Sequence, residues 1–139
     1  MKGHSVNQGV VRAEAIVTNQ VFGFWGGIDT NTGIIIDEHH ELCGQSIKGK
    51  VFVFPEGRGS TVGASVILEL ARCGTAPAAM VNQKTEVILA TGAILAEKFY
   101  DISIPVVDSL DKDPVAEIKS GDLVEVNGDT GEVYILKDK

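Results

Sequence analysis

Cysteine is scarce in this chain: Cys43 and Cys73 are the only two among 139 residues. A small secreted scaffold stapled by disulfides would carry more of them, at framework spacings. The thiols therefore read as reduced and the compartment as cytoplasmic. Basic charge is in deficit too. Lys and Arg number 12 against 19 Asp and Glu, for a net charge of −7. A nucleic-acid partner would need a clustered basic face, which this balance does not offer; the acid excess reads as a solubility feature. No apolar run is long enough to span a bilayer, and the polar opening Met1–Asn7 leads into no apolar stretch, so neither a membrane anchor nor a signal peptide is expected. Histidine stops early, since His4, His39 and His40 all precede residue 41.

What is present is ordinary globular material. Hydrophobic residues make up 44% and charged residues 22%, enough for a real core in one domain spanning residues 1–139. Glycine is frequent, at 16 residues, which favours tight turns and close backbone approaches over long helices. Alternating or apolar runs predict strands at Arg12–Thr18, Val21–Trp25 and Gly33–Ile36, separated by the turn chemistry of Gly26-Gly27 and Asp29–Gly33. Asp37–Ser46 reads as a polar loop. Lys50–Phe54 is the clearest buried strand, β-branched and aromatic, and Pro55 ends it. A helix is expected from Ser60 to Arg72, with Gly74 as its C-cap glycine. Strands at Ala78–Asn82 and Ile104–Val107 flank a second helix at Glu86–Lys98. Leu110–Ile118 reads as a loop or short turn. Asp122–Val126 and Glu132–Ile135 form a terminal hairpin about Asn127–Gly131. The class is mixed α/β: antiparallel strands first, two strand–helix units in the middle and a C-terminal hairpin. The alternation is too short for a Rossmann sheet.

The junction at Gly57-Arg58-Gly59-Ser60-Thr61 is where chemistry could sit. A buried strand runs into glycines that let backbone N–H groups approach a ligand. The helix start beyond them offers unpaired donors and partial positive charge to an anion. Arg58 adds a planar fork for carboxylate or phosphate. The same residues also satisfy a plainer reading, with Ser60 as an N-cap and the glycines as a turn. The spacing is neither a P-loop nor a nucleophile elbow. Asp37-Glu38-His39-His40-Glu41-Leu42-Cys43 is poorly spaced for a metal, because adjacent histidines on an extended chain point opposite ways and the other thiol is thirty residues on. No metal ligand set is assigned to this chain.

Taken in order, three segments resemble the aconitase X swivel domain. They are Thr32–Asp37, His40–Val51 (His-Glu-Leu-Cys-Gly-Gln-Ser-Ile-Lys-Gly-Lys-Val), and Phe54–Ser65 (Phe-Pro-Glu-Gly-Arg-Gly-Ser-Thr-Val-Gly-Ala-Ser). Pro77–Val81, Gly92–Ala96, Ile104–Asp108 and Gly121–Val126 fit the same family, so the resemblance covers nearly the whole chain. It implies a swivelling β/β/α domain with a small β-barrel-like sheet and two main helices. A stand-alone domain of this size resembles the small subunit of the two-chain form of the family. That form implies a heterodimer with a large aconitase X-type subunit, which holds an iron–sulfur cluster of the 4Fe-4S type. The implied reaction is a hydro-lyase step, dehydration of (R)-5-phosphomevalonate to trans-anhydromevalonate 5-phosphate in isoprenoid synthesis. The family motif puts the proton-abstracting serine on Ser60, with Arg58, Gly59 and Thr61 as substrate-binding residues. Arg58 serves either to lower the serine pKa or to hold a substrate anion. Two positions depart from the pattern: Glu41 follows His40 where proline is expected, and Cys43 stands where an aromatic is common. His40 is therefore read as structural.

Three rivals remain at this point. The family also includes dehydratases of cis-3-hydroxy-L-proline, which would use the same serine. Swivelling β/β/α domains also act as phosphohistidine carriers, but a carrier needs a histidine at the start of the helix that holds Ala90–Ala96, and none is there. A non-catalytic binding or scaffold module is the third.

Overall fold

A computed structural model describes residues 1–20, 22, 27–56, 63–83 and 87–136. In chain order the elements are β1 (His4–Asn7), β2 (Val10–Val17), β3 (Ile28–Asp29), β4 (Ile34–Ile35), β5 (Val51–Phe54), α1 (Gly63–Cys73), β6 (Ala79–Asn82), α2 (Val87–Tyr100), β7 (Val106–Asp108), α3 (Pro114–Glu117), β8 (Leu123–Asn127) and β9 (Glu132–Leu136). Seven strands form one sheet in the order β1-β7-β6-β5-β2-β8-β9, and β3 and β4 form a separate two-stranded flap.

The middle of the large sheet is parallel: β2 with β5, β5 with β6, and β6 with β7. Its flanks are antiparallel, β1 on β7 at one side and β8 and β9 on β2 at the other. The first strands do pair antiparallel as expected, β1 on β7, β2 on β8 and β3 on β4, and β2 in addition lies parallel beside β5. The sheet curls until its two sides meet. Lys2 bridges Glu132, the Gly3 N–H donates to the Gly131 carbonyl at 2.7 Å, and the Val133 N–H donates to the Met1 carbonyl at 2.9 Å. Glycine is required at this seam, where a Cβ on Gly131 would stand 2.3 Å from the Gly3 carbonyl oxygen.

Each face of the sheet has its own core. Phe52 and Phe54 look out of β5 toward α1, α2 and the flap, with Ile28, Ile35, Leu42, Ile47, Ile67 and Leu70 around them. Val51 and Val53 look the other way, into the curl, with Val81, Val107, Val124, Val126 and Val133. Alternate side chains of a strand point to opposite faces, so every residue of β5 is buried. This is the apolar, non-alternating pattern that a doubly covered strand should show.

Most expected elements are present with shifted ends. The strand at Arg12–Thr18 begins at Val10, and α2 continues to Tyr100. α1 closes as its Gly74 predicts: Gly74 has φ +73°, its N–H donates to Ala71, and the Thr75 N–H donates back to Leu70 at 2.9 Å, the paired bonds of a Schellman motif. The strand expected at Gly33–Ile36 shrinks to Ile34–Ile35, with β3 as its partner. Besides β3, two further elements are present that periodicity does not predict. β1 is short and polar and exists by pairing with β7. α3 is a single turn inside the expected loop, with Pro114 early in the helix and the Asp113 carboxylate capping the Val115 N–H. Of the strand expected at Val21–Trp25, only Phe22 is among the described residues.

Candidate functional site

The carboxyl ends of β5, β6 and β7 lie side by side, and α1 follows β5 at that end. In parallel strand–helix units this is the edge where the helix N-terminus faces a ligand. The candidate residues Arg58, Gly59, Ser60 and Thr61 lie outside the described residues. The strand that enters this segment and the helix beyond it are described, and both are closely held.

The approach is held carbonyl by carbonyl. The Asn82 side-chain amide donates to the Phe54 carbonyl at 3.4 Å. The Gln83 N–H donates to the Pro55 carbonyl at 3.0 Å and the Phe22 N–H donates to the Glu56 carbonyl at 3.3 Å. Three successive carbonyls before Gly57 are thus held by donors from two separate stretches of the chain, Asn82-Gln83 and Phe22. Pairing also passes on toward β7, since the Ser109 N–H donates to the Gln83 carbonyl at 3.1 Å, with Ser109 at φ +53°. Asn82 is fully buried at the end of an otherwise apolar strand. A buried amide is costly unless bonded, and here it is spent on the exit of the strand that leads to Gly57. In the sequence Asn82 reads as a strand residue and nothing more. The signal for its role is a polar side chain closing an entirely apolar run.

Beyond the candidate segment, α1 begins tightly packed. A Cβ on Gly92 of α2 would stand 2.9 Å from the Ile67 Cβ and 3.1 Å from both Ala64 Cα and the Ala64 carbonyl oxygen. The first turns of α1 therefore rest directly on the α2 backbone. Helix propensity would favour alanine at position 92; proximity requires glycine.

The Asp37–Cys43 stretch does not gather its side chains. His39 and Cys43 are exposed while His40 is buried. Cys73 is half-buried at the end of α1, beside Arg72 and Glu69. Among the described residues, no three His, Cys, Asp or Glu side chains could hold a metal ion together. His4 is exposed and pairs with the nearly buried Asp108 at 3.4 Å. Beside the β6 terminus, a cleft of 280 Å³ is lined by Gln83 and residues 110–114. Its two carboxylates are already engaged: Asp111 accepts from the Lys2 N–H, and Asp113 accepts from the Val115 N–H and from Gln83 Nε2. Its lysine, Lys112, lies 4.0 Å from the Glu117 carboxylate.

Comparison with known proteins gives this architecture a family. Residues 1–135 match the model of the aconitase X swivel domain, and the chain belongs to that family. The phosphomevalonate dehydratase small subunit of Methanosarcina acetivorans is 44% identical over 139 residues, covering all of this chain and 92% of the relative. The protein of the same name from Methanocaldococcus jannaschii is 48% identical over 136 residues, covering 98% of this chain and 97% of the relative. Among solved structures, the holo-form of aconitase X from Thermococcus kodakaraensis superposes with a TM-score of 0.88 at 43% identity, over 98% of this chain and 97% of that one. The expected swivel fold, with its barrel-like sheet, two main helices and C-terminal hairpin, is the fold observed. Among the described residues, no helix is long and apolar enough to cross a membrane.

Proposed function

We propose that this chain is the small subunit of a two-subunit hydro-lyase that removes water from (R)-5-phosphomevalonate to give trans-anhydromevalonate 5-phosphate, working with a large aconitase X-type subunit. The observation that carries the reading is end-to-end similarity, at 44% and 48% identity, to archaeal proteins named as small subunits of that dehydratase.

In this reading the chain's own contribution is the proton. A base takes hydrogen from the carbon beside the carboxylate, the C–H electron pair becomes the new double bond, and hydroxide leaves the neighbouring carbon. Ser60 is the base. A serine hydroxyl is a poor base at neutral pH, so it needs positive surroundings to exist as an alkoxide. Arg58 and the backbone donors of Gly59, Thr61 and the following helix supply them and also hold the substrate's anionic groups. The departing hydroxide calls for Lewis-acid chemistry, which an iron–sulfur cluster supplies. The described residues of this chain make no cradle for one, and the proposal assigns the cluster to the large subunit.

The test is co-expression with the large subunit, followed by anaerobic assay on 5-phosphomevalonate and, separately, on cis-3-hydroxy-L-proline. Turnover of the phosphorylated substrate only when both chains are present is the expected result. Activity of this chain alone, or preference for the hydroxyproline, would overturn the reading. Ser60→Ala in the assembled enzyme should lower turnover by about 10²–10⁴-fold, the usual contribution of a general base.

A further inference from the structure

His40 takes no part in the proposed chemistry, yet it is the one histidine the fold buries, at 7% exposure. Its Nδ1 accepts the Leu42 N–H at 3.1 Å. A ring nitrogen that accepts carries no proton, so the neutral ring holds its proton on Nε2. Nε2 is buried and meets no acceptor among the described residues. An orphaned buried donor costs about 1–3 kcal/mol, and phenylalanine or leucine would fill the same space without that cost. Packing alone therefore does not account for an imidazole. Fixing the loop does not account for it either, since asparagine could accept the Leu42 N–H in the same way.

The imidazole does both at once. Its ring meets Phe22 edge to face, with centroids 5.4 Å apart and planes at 87°. Phe22 meets Phe52 at 5.3 Å and 80°, and Phe52 lies against Phe54 at 4.4 Å. The Phe22 N–H in turn holds the Glu56 carbonyl. A line of aromatic rings thus runs from the 37–43 loop to the residues just before Gly57.

We propose that His40 is a positioning residue for the reaction. As the Nε2–H tautomer it locks the 37–43 loop to Phe22, and through Phe22 it fixes the Glu56 carbonyl from which the Gly57–Thr61 segment departs. The inference rests on the reading of Ser60 as the base. His40 acts through other groups and need not touch the substrate.

Two variants divide its functions: His40→Phe keeps the ring and loses the acceptor, and His40→Asn keeps the acceptor and loses the ring. Both are measured in the assembled, iron-replete enzyme as kcat per folded complex. A remote displacement of about 1 Å can cost roughly 10²-fold, so each variant should lose at least about tenfold in kcat, with KM within about threefold of wild type. A merely structural histidine would reduce the amount of folded complex and leave kcat per complex alone. A smaller loss of kcat in either variant, or a KM rise that accounts for all of the lost kcat/KM, overturns the proposal. If one variant does not assemble, Phe22→Leu breaks the same line at the ring next to His40 and is held to the same criterion. Ser60→Ala is measured alongside. Its retention of activity removes the base reading, whereas an inactive Ser60→Ala beside fully active His40 variants removes only the inference about His40.

Discussion

Alanine at position 92 should weaken the protein although it is the better helix former. The added methyl would lie 2.9 Å from the Ile67 Cβ and 3.1 Å from the Ala64 backbone. Carbon–carbon contacts settle near about 3.5–4.0 Å, so α1 and α2 must part by roughly 0.5–1 Å. Neither neighbour is the far end of a flexible side chain, and the strain cannot be relieved by a rotamer change. Overpacking of this kind costs about 1–3 kcal/mol, while replacing glycine inside a helix returns up to about 1 kcal/mol. The net loss should be about 1 kcal/mol, which lowers the melting temperature by about 3–6 °C in a domain of this size. Thermal unfolding followed by circular dichroism reads it directly. Ile94→Ala on the exposed side of the same helix, 49% exposed, is the control and should change stability by no more than about 0.5 kcal/mol. Ala64 stands close behind the candidate segment, so the displacement should also reduce kcat in the assembled enzyme by about tenfold. A Gly92→Ala protein that melts at or above the wild-type temperature would show that the helices part freely and would refute the reasoning.

Other contacts carry outcomes of their own. The Thr75 hydroxyl is buried and donates to the Thr30 carbonyl at 2.6 Å; Thr75→Val keeps the shape, and urea titration should show a loss of about 1–2 kcal/mol. Arg58→Lys removes the planar fork and should lower kcat/KM by about tenfold or more, the value of one charged hydrogen bond. The Arg72 guanidinium, with bonds of 2.8 and 2.5 Å, holds the Glu69 carboxyl below the usual range. Any stability this pair adds is complete above the ordinary glutamate value and fades as pH falls through the lowered one. Carbon-detected titration should place the Glu69 midpoint below that of free glutamate, and Arg72→Ala should raise it.

The parts of the fold that local chemistry determines are legible in the sequence. Val51–Phe54 reads as buried because nothing in it alternates, and Gly74 reads as a cap because α1 needs a left-handed residue there. Parallel pairing of β2 with β5 is not legible, since periodicity identifies a strand and not its neighbour. β1 escapes notice because its stability comes from β7, a hundred residues away, rather than from its own composition. The candidate segment itself is visible as Gly-Arg-Gly-Ser-Thr after a buried strand. Its support is not: Phe22 and Asn82 reach the β5 exit from distant parts of the chain, and only the folded arrangement brings their donors to the carbonyls there.

The seam where Lys2 meets Glu132 has a kinetic consequence. Its contacts join residues at nearly opposite ends of the described chain, so forming them closes the longest loop the fold contains, at the greatest entropic cost. The strands that lead to the candidate segment need no such closure, because β5, α1, β6, α2 and β7 succeed one another in sequence and pair with near neighbours. Ordering of this edge of the sheet can therefore precede closure of the ring. In pulse-labelled refolding, the amides of β5 and β6 should gain protection before those of Gly3 and Val133.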